Sequence, residues 1–147
     1  MKKFIFSLDR VLDLRHSEAR IEEVKLERLY AERAAIDTRE RVLREERRQA
    51  GTALHLRPEV TGEQLSALDA FQQYVEAEGR RSAQARAACG RRIQAQLQIL
   101  TVKRRDVKLL EKFKDQRQKA WAQALEREIS QEAEESHLAK WNRENIQ

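Results

Sequence analysis

The stretch Gly51-Thr52-Ala53-Leu54-His55-Leu56-Arg57-Pro58-Glu59-Val60-Thr61-Gly62 decides the fold. It holds the sole proline of the 147-residue chain and two of its four glycines. So few breakers exclude a compact α/β or all-β domain, which needs a turn every ten or so residues. Gly51 suits the position just past a helix end, where φ is positive. Pro58 blocks continuation. Thr61-Gly62-Glu63-Gln64 then reads as a capping box: the Thr hydroxyl accepts from the third backbone N–H while Gln64 reaches back. Val60 and Leu65 occupy the two positions of a hydrophobic staple.

Outward from this turn the chain reads as two long helices. The first is expected over about 7–50, the turn over about 51–61 and the second helix over about 62–145. Ser7 is the candidate first cap, Asp9 sits in the positive first turn, and Phe6 can staple to Val11. Ile5, Leu8, Leu12, Ala19, Leu26, Leu29, Ile36 and Leu43 share an alternating 3–4 spacing, a coiled-coil seam. Arg15, Glu22, Arg33 and Glu40 interrupt it. Val11, Leu14, Ile21 and Val24 form a second apolar flank, which implies either a wider face or a drifting register. In the second helix Leu65, Leu68, Val75, Cys89, Ile93, Leu100, Val107, Leu110, Trp121, Ala124 and Leu138 share one register, interrupted at Gly79, Ser82 and Arg86. A seam about half apolar is weak for an autonomous dimeric zipper. The expectation is an all-α, elongated, antiparallel two-helix coiled-coil hairpin, one unit over the whole chain and a monomer when alone.

The arms are unequal. The shorter helix is roughly 65 Å long and the longer roughly 125 Å. Paired from the turn outward, the first should end opposite a point near Glu111. The remaining overhang, with Trp121, Leu125, Ile129, Leu138 and Trp141, is expected to dock on another protein or to fray.

Charge is uneven. Charged residues make up 37% of the chain and the net charge is +5. Arg80–Lys119 holds thirteen basic residues against Asp106, Glu111 and Asp115, and an acidic tail follows. One reading has this stretch bind nucleic acid or an anionic membrane; another has it dock on a protein, and a third matches it with acids on the first helix. No aromatic residues interleave the run as a stacking platform. No helix-turn-helix, zinc-finger or basic-zipper pattern accompanies it, so no nucleic-acid partner is expected.

Catalytic patterns are missing from the sequence. There is no GxxxxGK[ST] phosphate loop. His16, His55 and His137 have no second ligand at helical spacing, and Cys89 is alone. No enzyme activity, cofactor or metal is expected. The opening Met-Lys-Lys-Phe-Ile-Phe-Ser-Leu is interrupted by Asp9, Arg10 and Asp13, so it does not read as a secretory signal.

Three blocks in order carry a family resemblance. Phe4-x-Phe6-x-Leu8-x-x-Val11-Leu12-x-Leu14-Arg15 looks like the N-terminal signature of the FliJ family, the small coiled-coil components of the bacterial flagellar type III export apparatus. Phe71-Gln72-Gln73-Tyr74-Val75 resembles an aromatic-Gln-Gln-aromatic segment early in that family's second helix. Leu109-Leu110-Glu111-Lys112-Phe113-Lys114-Asp115-Gln116-Arg117 is similar to its Leu-Glu-Lys-Leu-Lys-Glu-Arg stretch.

The resemblance implies a stalk-like antiparallel coiled coil. Its two chain ends would insert into the hexameric ring of the export ATPase FliI, and its middle would contact the export gate protein FlhA. Export chaperones are further implied partners. Phe4, Phe6, Leu8, Val11, Leu12, Arg15, Leu110, Phe113, Arg117 and Trp121 become candidate ring contacts, and Tyr74 a candidate gate contact. Glu78 and Arg81 stand where an apolar gate-facing stripe would continue beyond Tyr74. The implied location is the cytoplasmic face of the inner membrane at the flagellar base, with membrane association through partners only.

Overall fold

The computed structural model describes residues 2–146. Two helices, α1 (Asp9–His55) and α2 (Gly62–Asn145), form an all-α antiparallel hairpin, with 47 residues in α1 and 84 in α2. Among the described residues no helix is long and apolar enough to cross a membrane. Contacts divide the chain into two compact units that cut across both helices. One joins the segment up to Ala19 with that from Val102 onward, and the other is Arg20–Thr101.

In the central unit the direction of pairing is read from side chains. Gln96 Nε2 donates to the Glu22 carbonyl oxygen, and Cys89 Sγ donates to the Leu29 carbonyl oxygen at 3.4 Å. Arg86 lies 3.4 Å from Asp37, and Arg47 lies 3.6 Å from Glu76. As the position on α1 rises from 22 to 47, its partner falls from 96 to 76. Leu29, Cys89 and Ile93 are buried together, with Leu26, Ile36 and Leu97 packed against them. Leu100 is the most enclosed side chain, 2% exposed. The charged seam residues Glu22, Arg33 and Glu40 are half-buried with their heads engaged: Glu22 meets Lys25 and Gln96, Glu40 meets Arg44, and the Arg33 guanidinium lies 5.3 Å from the Tyr30 ring centroid. Gln96 is buried where a heptad core wants an apolar residue. Its amide is satisfied across the seam by Glu22, so burial leaves no polar group stranded.

The capping box forms as expected. Thr61 N–H donates to Gln64 Oε1 at 3.1 Å, and Gln64 N–H donates to Thr61 Oγ1 at 3.2 Å.

The end of α1 differs from the expectation. Gly51 is not a C-terminal cap: it lies inside the helix, and no glycine has positive φ. One interior glycine costs about 1 kcal/mol, less than is needed to end a long paired helix. Pro58 is what stops α1, five residues beyond the expected end near position 50, by pushing Arg57 out of the helical region. Arg57 N–H closes the last turn on the Leu54 carbonyl oxygen at 3.3 Å.

The start of α1 also differs. Leu8, not Ser7, holds the cap position, because its carbonyl oxygen accepts the Leu12 N–H at 2.9 Å. Ile5 is 83% exposed, whereas Phe6 is buried. The residues before α1 are not helical, so the 3–4 spacing does not reach them. Burial there alternates instead, with Phe4 and Phe6 inward and Ile5 outward. The second apolar flank stays largely uncovered: Val11, Leu14 and Ile21 are exposed and only Val24 is half-buried.

Candidate functional site

The terminal unit gathers residues more than 80 positions apart. Its base is a small apolar cluster of Leu12, Ala19 and Val107, with Leu110 packed against it. Lys103 meets Glu18 at 3.4 Å, His16 meets Glu111 at 3.3 Å and Lys114 meets Asp9 at 2.6 Å. The antiparallel register therefore sets the start of α1 beside Lys114, close to the Glu111 limit read from length.

The segment ahead of α1 then carries the pairing further. Phe6 packs edge-on against Phe113, ring centroids 5.8 Å apart. Phe4 packs on Trp121 at 5.9 Å. Lys114 Nζ lies 5.9 Å from the Phe6 ring centroid, and the Arg117 guanidinium lies 5.1 Å from that of Phe113. Each ring thus presents its negative face to a cation, an arrangement of about 0.5–1 kcal/mol when exposed. An open groove of about 460 Å³ adjoins the cluster, lined by Lys2, Lys3, Phe4, Phe6, Arg117 and Trp121 among others. It offers cations around an aromatic floor, which suits an acidic and partly apolar surface.

This corrects the expected overhang. Trp121 is half-buried under Phe4, covered by its own chain. The bare part of α2 begins after Leu125: residues 126–146 are all exposed, including Ile129, Leu138 and Trp141.

The expected ring-facing residues fall into two groups. Phe6 and Leu12 are buried and support the end from within. Leu8 and Leu110 are half-buried, and Arg15 is half-covered, its guanidinium 3.0 Å from Glu18. Phe4, Val11, Phe113, Arg117 and Trp121 keep accessible surface. Arg15 holds the Glu18 carboxyl below the ordinary glutamate range, helped by Lys103, against a weaker opposing effect of desolvation. Tyr74 lies in the other unit. It is about half exposed and stacks on Phe71 with centroids 6.5 Å apart, one helical turn back.

Much of the basic stretch is engaged with carboxylates. Arg81 pairs with Glu78, Arg86 with Asp37, Arg92 with Glu32, Lys103 with Glu18 and Lys114 with Asp9. Among the described residues, no group of three or more His, Cys, Asp or Glu side chains is placed to hold a metal ion.

The chain matches no model of a protein family, no curated protein and no solved structure.

Proposed function

We propose that this chain is a non-catalytic stalk or adaptor of the bacterial flagellar type III export apparatus. It would bind the export ATPase FliI ring by its paired ends and link the ring to the gate protein FlhA and to export chaperones, at the cytoplasmic face of the inner membrane. The reading rests on the resemblance of three sequence blocks to the FliJ family. The observation that supports it most is the meeting of the first and third blocks in one end, through Phe6 with Phe113, with Phe4 on Trp121 just past the third block. A stalk held in a ring needs two strands that do not splay at the inserted end, and these ring pairs tie the segment ahead of α1 to α2 there.

The mechanism is mechanical and electrostatic. Exposed cations at Lys2, Lys3 and Arg117 would draw the end toward acidic walls, and the aromatic floor would supply area to bury. Tyr74 would act as a separate contact with the gate.

The test is ATP hydrolysis by FliI with and without the chain. Full-length protein should stimulate hydrolysis, and the double variant Phe4→Ala/Trp121→Ala should stimulate less while keeping its helix content. Truncation after Arg117 should abolish stimulation; if stimulation survives it, the paired end is not the anchor. Tyr74→Ala should weaken FlhA binding alone. Equal loss of FliI and FlhA binding with the helix content kept would refute separate contacts; equal loss with lost helix content would argue for simple unfolding.

A further inference from the structure

The two sides of the helix pair differ in the terminal unit. Its seam runs through Leu12, Arg15 and Ala19 on α1 and Lys103, Val107, Leu110 and Lys114 on α2, at spacings of three and four. The residue just after each seam position is polar: Asp13 and His16 on α1, and Arg104, Lys108, Glu111 and Asp115 on α2. All six are exposed. The residue just before each is mostly apolar: Val11, Leu14 and Glu18 on α1, and Val102, Asp106, Leu109 and Phe113 on α2. Reversing one helix reverses the sense of its steps of about 100°, so in an antiparallel pair both sets of preceding positions share one side and both sets of following positions share the other. The contact of His16 with Glu111 at 3.3 Å marks the polar side. The apolar side is open, with exposures from 36% at Phe113 to 60% at Leu109. Single exposed apolar side chains are ordinary, but a set gathered on one side of a helix pair marks a contact surface.

Charge on this side says what covers it. Asp106 stands between Val102 and Leu109 along α2, is half-buried, and has no ion-pair or hydrogen-bond partner among the described residues. Glu18 shares the side, but its carboxylate is already met by Arg15 and Lys103. Arg105 and Lys112 stand at the outer edge of the same surface, exposed and likewise without a partner among the described residues. A bilayer would set Asp106 among lipid chains with no counter-charge, which is costly. A helix laid in the groove between α1 and α2 can bring a cation to Asp106, apolar side chains to either side of it, and carboxylates to the edge.

We infer that this side of the terminal unit is the docking surface for an amphipathic helix of another protein, one with an apolar stripe interrupted by a single Lys or Arg and with acidic residues along one edge. Such a helix makes a third member of the bundle and anchors on Val11, Leu14, Leu109 and Phe113, the mode in which an amphipathic segment fills an apolar groove. From Val102 to Phe113 the surface spans about three helical turns, so the partner helix needs at least about twelve residues. The cation belongs about one turn beyond the residue that meets Leu109. The edge carboxylates steer the approach and fix the register, and the apolar stripe supplies the buried area. The inference goes beyond the stalk reading and does not rest on it, since the occupant is defined by its chemistry and its test needs no ATPase.

The probe is a synthetic, fluorescein-labelled helical peptide of about three heptads, with leucine at positions a and d, one central lysine in that stripe, and glutamate along one edge. Fluorescence anisotropy with the full chain should give a Kd below about 100 μM. Leu14→Glu/Leu109→Glu should raise it about tenfold or more, whereas Asp13→Lys/Lys108→Glu, on the opposite side, should leave it unchanged. A peptide with glutamate in place of the central lysine should bind more weakly, and Asp106→Lys should reverse that preference. All are surface changes, and circular dichroism checks that the helices persist. Absence of binding at about 1 mM protein overturns the inference. So does equal weakening by the two double variants, or a peptide preference that Asp106→Lys does not change. Two further measurements name the other occupants. Co-sedimentation with vesicles of equal parts phosphatidylglycerol and phosphatidylcholine, lost in Leu14→Glu/Leu109→Glu, would make the surface a membrane contact and overturn the inference. A dimer in sedimentation equilibrium that the same double variant dissociates would make a second copy the occupant, with the same consequence.

Discussion

Replacing Gly51 with alanine separates two opposite accounts of where α1 ends. The structure sets Gly51 inside the helix at ordinary φ, with nothing within 4 Å of an added Cβ. Alanine there should stabilise the protein by about 0.5–1 kcal/mol, because glycine loses more backbone freedom on folding. Part of the gain arises in the unfolded chain, which has fewer conformations to give up. For a chain of this size that corresponds to a rise in Tm of about 2–4 °C. Had Gly51 capped the helix at positive φ, the same substitution would cost about 1–2 kcal/mol through the Cβ clash. The two accounts thus differ in sign. Urea denaturation followed by far-UV circular dichroism resolves such a difference. Gly79→Ala and Gly90→Ala serve as references, since both lie within α2 with open space around the new Cβ. Gly62→Ala, at the first residue of α2, should change little. Destabilisation by Gly51→Ala alongside stabilisation by Gly79→Ala would refute the longer α1.

Three further outcomes follow from the packing and charge. Leu100→Ala should cost about 2–5 kcal/mol, because Leu100 is almost fully enclosed, and thermal melts would read it; a loss below about 1 kcal/mol would contradict that burial. Glu18 has a folded-state pKa below its unfolded value, so its stabilising effect is present above about pH 4.3 and is lost as pH falls through the lower folded value. Glu18→Gln should therefore melt earlier than the parent at pH 7 and converge with it in strong acid; a gap that persists in acid would mean that charge is not the cause. In a Trp141→Phe background, Phe4→Ala should make Trp121 fluorescence more easily quenched by acrylamide and shift it to the red, and unchanged quenching would show that Phe4 does not cover Trp121.

What could be read along the chain was local or periodic. The Thr61–Gln64 box needs only four residues, and it forms with both bonds in place. The two-helix architecture followed from the scarcity of breakers, and the buried Leu12, Ala19, Leu29, Cys89, Ile93, Leu100 and Val107 followed from their 3–4 spacing. At the candidate site, the aromatic and basic residues were legible as types, but their partnerships were not. Nothing in the order of residues says that Phe4 meets Trp121 or that Phe6 takes Phe113. Gln96 was missed as a core residue, although its place in the 3–4 series was the available signal.

The amino-acid order by itself thus determined the helices, the turn and the seam, because propensity, capping and periodicity act within a few residues. Tertiary pairing decided the rest. It carried α1 through Gly51 as far as the proline allows, since a glycine's cost of about 1 kcal/mol does not outweigh a paired helix. It also exchanged Ile5 for Phe6 in the core, because outside the helix the side chains alternate by two. Trp121 came under Phe4 for the same reason: which residue covers which depends on the register of two distant segments, a relation that no short stretch encodes.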